Sequence, residues 1–449
     1  MVRDFNSGKS VQKRNTTGRR PTVHNTRKVT PVASVKRADN TYHSTAYRGT
    51  NSRSASSRST ANRSTKKTVN RKGGFIANLL RSDRKAGEMD YTFLLLVGVL
   101  VAFGLIMLLS ASTPTANVKF GRSYHFFLRQ LFYVILGAGA MFGLAHIDYR
   151  NLKPYARIFM IICIILLILV FMPVIGVSHN GSRRWINLGF MELQPSEIMK
   201  ISISMFFAAL IEDKHYDIRT NKGLGQYLLW VGGVAALLLA ETHLSGTIVI
   251  CGIALCVLLV GGANAGLVIG GGAAAGVGLV GLVAVVNPTR MARLTSFFNP
   301  FTDMQGTGYQ TAQAVYAIGS GGIFGKGLGE SVQKFSYLPE PYNDFIFAVI
   351  CEELGLIGAI VIIGMFIGLI IRGLKIAMEA KDVFGTLTVV GIMAQVAIQT
   401  ILNIGVATAS IPNTGVSLPF FSYGGTAIMM LLAEMGIVLS VSRYSSENK

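Results

Sequence analysis

The sequence predicts an all-α polytopic membrane protein of about ten transmembrane helices, with both termini cytoplasmic and a large extracellular loop between helices 7 and 8. Three observations carry that expectation. Apolar runs long enough to cross a hydrocarbon core of about 30 Å recur along the chain. Basic residues gather in alternate short loops, as the positive-inside rule requires. The composition, 51% hydrophobic and 14% charged, also hides two unlike parts. Residues 1–90 hold 21 of the 42 Lys and Arg but 5 of the 22 Asp and Glu, so most of the net charge of +20 lies there. The rest is nearly balanced and too apolar for one soluble core.

Residues 1–89 are rich in Arg, Lys, Ser, Thr and Asn and cannot bury a core. They are expected to form a disordered cytoplasmic tail with weak attraction to anionic lipid. A secretory signal peptide is not expected, since residues 1–70 hold no apolar h-region. No folded reader motif accompanies the charge, so nucleic-acid binding is not expected.

The membrane domain is expected over 90–443, with a short cytoplasmic end at 444–449. The first span runs from about Tyr91 to Ser110. Others follow near 127–147, 156–177, 195–212, 226–240, 244–261, 264–286, 346–371, 383–408 and 418–440. The basic tail sets the N-terminus inside. The inner loops then carry Arg150, Lys153 and Arg157, then Lys214, Arg219 and Lys222, then Arg372, Lys375 and Lys381. The four cysteines all fall in apolar stretches without a Cys-x-x-Cys pattern, which suits reduced packing residues.

Two long loops fall outside, near 178–194 and 287–345. They hold Arg183, Arg184, Arg290, Arg293, Lys326 and Lys334, against the positive-inside tendency, and so suggest an anionic ligand; solvated loop charge is the plainer alternative. Thr311–Ile318 reads as a short interfacial helix.

Several motif searches fail. The run Gly319–Gly329 lacks Walker A spacing, because position 320 is Ser and Gly327 follows Lys326. His179 and His243 lack a second metal ligand at helical or hairpin spacing. A divalent cation (Mg or Mn) bound with substrate phosphates would leave no motif. No Ser-His-Asp arrangement can be assigned. Asp344 remains, where the polar loop gives way to Phe345-Ile346-Phe347. It suits a helix N-cap and a pKa-shifted base equally well. Glu352 and Glu353, further into the same span, suit an ion pair with Arg129.

The residues then become recognisable. Gly181-Ser182-Arg183-Arg184-Trp185-Ile186, Gln194-Pro195-Ser196-Glu197 and Ala317-Ile318-Gly319-Ser320-Gly321-Gly322 occur in order. Leu338-Pro339-Glu340, Asp344-Phe345-Ile346-Phe347, Asn403-Ile404-Gly405 and Ser422-Tyr423-Gly424-Gly425 follow. Together they resemble the SEDS family of FtsW, RodA and SpoVE, more the FtsW and SpoVE branch than RodA. Where the family often carries Pro-Asp-Leu-Gly after the fifth span, this chain reads Thr242-His243-Leu244-Ser245-Gly246, so a role for that acid does not transfer to His243.

The resemblance implies a peptidoglycan glycosyltransferase that polymerises lipid II on the outer face of the bacterial cytoplasmic membrane, for cell division or sporulation. It implies Asp344 as the essential aspartate, read here as the catalytic base, and Arg184 and Trp185 as the arginine–tryptophan element of the earlier outer loop; the substrate-binding residues expected with them are Arg183, Arg184, Trp185, Lys326, Lys334, Glu340 and Ser422. The partners implied are lipid II, polyprenyl-diphosphate-linked glycan, a class B penicillin-binding protein transpeptidase and other division or elongation proteins. The competing classes are a flippase for the lipid-linked precursor and a non-catalytic division scaffold.

Overall fold

A computed structural model describes residues 86–445 apart from 174, 180, 181, 190, 287–296, 298–300, 302–305, 307 and 336. The basic tail up to residue 85 and the loop residues Arg290 and Arg293 lie outside the described residues.

All ten predicted apolar segments are helical. They are α1 (Tyr91–Phe120), α2 (His125–His146), α3 (Ala156–Leu169), α4 (Pro195–Glu212), α5 (Asn221–Ala240), α6 (Leu244–Val260) and α7 (Ala265–Val286). After the short helix α8 (Tyr309–Gly321) come α9 (Ile346–Glu379), α10 (Val383–Ala407) and α11 (Gly425–Arg443). Seven of the described helical segments are long and apolar enough to cross a membrane. The central α4 is not among them, since it carries Glu197, Lys200 and Glu212. It is buried almost along its whole length, packed against α3, α6 and α10. Its charges therefore face protein rather than lipid.

Side-chain caps and ion pairs gather at one end of the bundle. Asp90 caps α1 through Phe93 N (2.9 Å) and pairs with Arg372 Nε (2.7 Å). Asp382 caps α10 through Gly385 N (2.7 Å) and also accepts from Tyr149 Oη (2.7 Å) and Arg150 Nε (2.5 Å). Lys153 reaches Glu212 and Asp213. Arg150, Lys153 and Arg372 are among the basic residues that marked the inner loops.

The opposite end departs from the sequence reading in two ways. First, a three-stranded antiparallel sheet, β1 (Gly176–His179), β2 (Ser182–Asn187) and β3 (Glu192–Leu193), folds over the bundle. Its strands are too short and polar to leave a clear period-two signal. Second, α9 is broken at Gly355 (φ 67°, ψ −166°). The glycine-rich loop after α8 crosses the break. Lys326 N and Gly327 N donate to the carbonyls of Glu352 and Glu353 (both 3.0 Å), and Leu356 N and Ile357 N donate to those of Gly322 and Ile323. A Cβ on Gly355 would lie 2.3 Å from Gly325 N, and one on Gly325 would run into the Glu353 carbonyl, so both crossing segments need glycine there.

The crossing also corrects the expected ion pairs. Glu352 meets Lys326, not Arg129. It accepts from Lys326 Nζ (2.6 Å), Ser331 Oγ (2.5 Å), Ser320 Oγ (3.2 Å) and the amides of Val332 and Gln333. Glu353 accepts from Lys334 Nζ (2.8 Å) and Ser110 Oγ (2.6 Å). Both carboxylates are fully buried and fully partnered, which is what makes charge tolerable inside an apolar bundle.

Candidate active site

Asp344 stands just before α9, but it does not cap that helix. Phe345 occupies the cap position, and no side-chain cap bond forms there. The backbone of Asp344 is held instead. Asn403 Nδ2 of α10 donates to Asp344 O and Val416 O (both 2.8 Å), tying two loops together. Ser422 Oγ donates to Asn343 O (2.7 Å) and accepts from Leu418 N (2.8 Å). Tyr423 N donates to Tyr342 O (2.9 Å), and Tyr342 stacks on Phe126 of α2 at 4.5 Å between ring centroids. Two helices, α10 and α2, and the loop before α11 thus position the Asp344 loop.

The carboxylate opens onto a cavity of about 520 Å³. Arg184 and Trp185 of β2 and Arg129 of α2 form its wall near Glu340 and Asp344, and the cavity runs inward to Lys200 and Gln399. Asp344 reaches the cavity yet is hemmed in by protein. Burial pushes its carboxyl up from 3.8 to about 6; neighbouring Glu340 adds to this and Arg184 opposes it. Glu340 itself has φ 47° and accepts from Asn343 Nδ2 (2.9 Å).

Arg184 is anchored through Nη2 to Thr242 O (2.6 Å), and Thr242 Oγ1 donates to Ser182 Oγ (3.0 Å). Thr242 holds φ 58° in the tight turn between α5 and α6. On either side of it lie two ionisable groups kept neutral at pH 7. Burial raises Glu241 to about 8 against the pull of Arg184, and lowers His243 to about 3, helped by Arg184 and Lys200. Asp344 is thus a chamber carboxyl poised to exchange a proton near neutrality.

Of the residues expected from sequence, Asp344, Arg184, Trp185 and Glu340 line one cavity. Arg183 points to solvent from the same strand and is absent from that lining. Ser422 is buried behind the cavity wall and acts on Asn343 rather than on the open space. Lys326 and Lys334 are not brought to the cavity, because each is taken up by a buried carboxylate of α9. Sequence reasoning missed Lys200 and Gln399, and placed Arg129 in an ion pair it does not make. Glu197 and Lys200 form their own pair (2.6 Å), spaced three residues apart on α4, a signal that a paired charge inside an apolar span could have supplied. Among the described residues, no group of three His, Cys, Asp or Glu side chains converges as a metal site.

The fold and the site together define a membrane-embedded helical bundle. A polar chamber lined by arginine opens at one of its ends, with a carboxylate of raised pKa inside. Comparison with known proteins narrows that class. The family model FtsW/RodA/SpoVE, described as "Cell cycle protein", matches residues 90–447, and the chain belongs to this family. It is 41% identical to stage V sporulation protein E of Bacillus subtilis over 362 residues, covering 80% of this chain and 99% of that protein. It is 39% identical to a probable peptidoglycan glycosyltransferase FtsW of Geobacter metallireducens, covering 79% and 94%. Among solved structures it resembles a chain from a peptidoglycan synthase complex that coordinates polymerization and crosslinking (TM-score 0.68, 26% identity, 80% and 99% covered). It also resembles the rod shape determining protein RodA of Thermus thermophilus (TM-score 0.59, 26% identity, 80% and 98% covered).

Proposed function

We propose that this protein polymerises lipid II into glycan strands, with the chamber facing the outer side of the bacterial cytoplasmic membrane. The observation that carries this reading is Asp344. It is a half-buried carboxylate with a pKa raised to about 6, set in a chamber walled by Arg184, Trp185 and Arg129. The names of the relatives support a glycosyltransferase. The basic inner-loop pattern supports the sidedness.

In this reading, Asp344 takes the proton from the 4-hydroxyl of one lipid II sugar. The oxygen attacks the anomeric carbon of the lipid-linked strand as the bond to the diphosphate oxygen breaks. Polyprenyl diphosphate leaves with the electron pair. Attack from the face opposite the leaving group inverts the anomeric centre. Proton removal by a positioned side chain supplies about 10²–10⁴-fold in rate. Arg184 and Arg129 line the same chamber, and in this reading their positive charge neutralises the developing diphosphate. Lys326 and Lys334 play no part in this, since their charge is spent on Glu352 and Glu353. A divalent cation carried by the diphosphate would meet the carboxylates of Glu340 and Asp344 on the chamber lining and would add positive charge there, and no step depends on it. A class B penicillin-binding protein is the partner this reading implies, as the enzyme that crosslinks the strands.

The test is a gel assay of lipid II polymerisation by purified protein, wild type against Asp344→Asn. Glycan made by the wild type and lost in the variant supports the reading. Precursor flipping without glycan, unaffected by the substitution, would select the transport function instead.

A further inference from the structure

The crossing between the glycine-rich loop and broken α9 leaves an apolar surface that the chamber does not use. Residues 346–353 of α9 are all buried, so this part of the helix faces protein on every side. From the break onward one face turns outward: Leu356, Ile357, Ile360, Val361, Ile367 and Ile371 are all exposed. This face belongs to a membrane-crossing helix and meets lipid.

At the upper end of that face the loop continues it sideways. The amides of Leu356 and Ile357 are bonded to the carbonyls of Gly322 and Ile323, so the two surfaces are joined at the backbone. The loop's own outward side chains are Ile323, Phe324, Leu328, Val332 and Phe335, with Phe324 81% exposed. The two cations among them are paired with buried carboxylates, although the Lys326 side chain stays 32% exposed. Lys326 Nζ is bonded to Glu352, and Lys334 is buried on Glu353. Glu330 is the one exposed acid in the stretch, which suits the headgroup level rather than the hydrocarbon centre. Backbone groups near lipid must be bonded, and the loop bonds the amides of residues 325–327 to the carbonyls of Gly321, Glu352 and Glu353. Five large apolar side chains turned to water would form an exposed patch of the kind soluble surfaces avoid.

The geometry points to residues 323–335 as a membrane-inserting loop. It dips into the leaflet on the Asp344 side, with Ile323, Phe324, Leu328, Val332 and Phe335 among the acyl chains. The occupant is lipid because the patch continues the lipid-facing side of α9. The inference does not depend on the chemistry at Asp344. It gives the buried Glu352 and Glu353 a purpose: they tie an inserted loop to the helix that follows the catalytic position.

The test places a tryptophan at Phe324 in the full chain, reconstituted in phosphatidylglycerol–phosphatidylethanolamine vesicles. Emission is read as the difference between Phe324→Trp and wild type. Lipids brominated in the upper acyl chain should remove most of the added emission, and iodide in the water should leave it nearly unchanged. Quenching by iodide with silent bromines would overturn the inference in favour of an aqueous loop. Quenching by neither would overturn it in favour of a patch covered by protein, such as a second copy. Phe335→Trp, at the other end of the patch, carries the same expectation and stands in should Phe324→Trp not insert.

Discussion

Replacing Asp344 by Asn separates a catalytic carboxylate from a structural one, because the two roles predict opposite effects on stability. The folded carboxyl is held at about 6, against 3.8 in an unfolded chain. An acid with a raised folded pKa costs stability when ionised. That cost is absent below about pH 4, grows between pH 4 and 6, and is fully present above 6. Converted at about 1.4 kcal/mol per pKa unit, it reaches up to about 3 kcal/mol at neutral pH. Asn cannot ionise and is nearly isosteric. Asp344→Asn should therefore lose about 10²–10⁴-fold in polymerisation while gaining stability at pH 7, and match the wild type near pH 4. A lipid II gel assay reads the first effect. Thermal unfolding in detergent across pH 4–8 reads the second. Wild-type activity should also fall as pH drops below about 6, where the base becomes protonated. A variant that is less stable than wild type at pH 7 would refute the reasoning, since the charge would then be serving the fold. Retained polymerisation would refute it equally.

Three further outcomes follow from the same geometry. Lys334→Met leaves Glu353 buried without its cation and should cost about 3–5 kcal/mol in thermal unfolding, with part of the loss recovered by adding Glu353→Gln. Gly355→Ala puts a side chain in a conformation suited to glycine, 2.3 Å from Gly325 N, and should destabilise by at least about 2 kcal/mol in the same assay. Asn403→Ala removes both bonds that hold Asp344 O and Val416 O, and should lower kcat by about 10²-fold with little change in KM, measured by initial rates of polymerisation.

Much of the fold was legible because a bilayer imposes its own grammar. A segment with no water around it must be apolar and must satisfy its backbone internally, so ten helical segments stand out from composition alone. Charge at the inner loops follows the same logic, and Arg150, Lys153 and Arg372 all prove to sit in ion pairs at one end of the bundle. The short strand Ser182–Asn187 was not legible, because six residues in a polar loop carry no comparable constraint. Within the site, Asp344, Arg184, Trp185 and Glu340 were legible as residues of long motifs, whereas the pairing of Lys326 and Lys334 was not. Each is a cation in a glycine-rich loop, and sequence does not say whether such a cation faces a ligand or a carboxylate twenty residues away.

The sequence by itself determined the membrane class, the helical segments and the residue worth replacing first. These rest on local quantities: the hydropathy of a window, the sign of a loop, the order of short motifs. Only the tertiary structure decided that Asp344 is not a helix cap, that Arg184 rather than Lys326 or Lys334 stands beside it, and that α9 breaks where another loop crosses it. Each of those depends on contacts between segments far apart in the chain, such as Asn403 with Asp344 and Gly325 with Gly355. Hydropathy reports whether a residue can be buried, and packing alone determines against what.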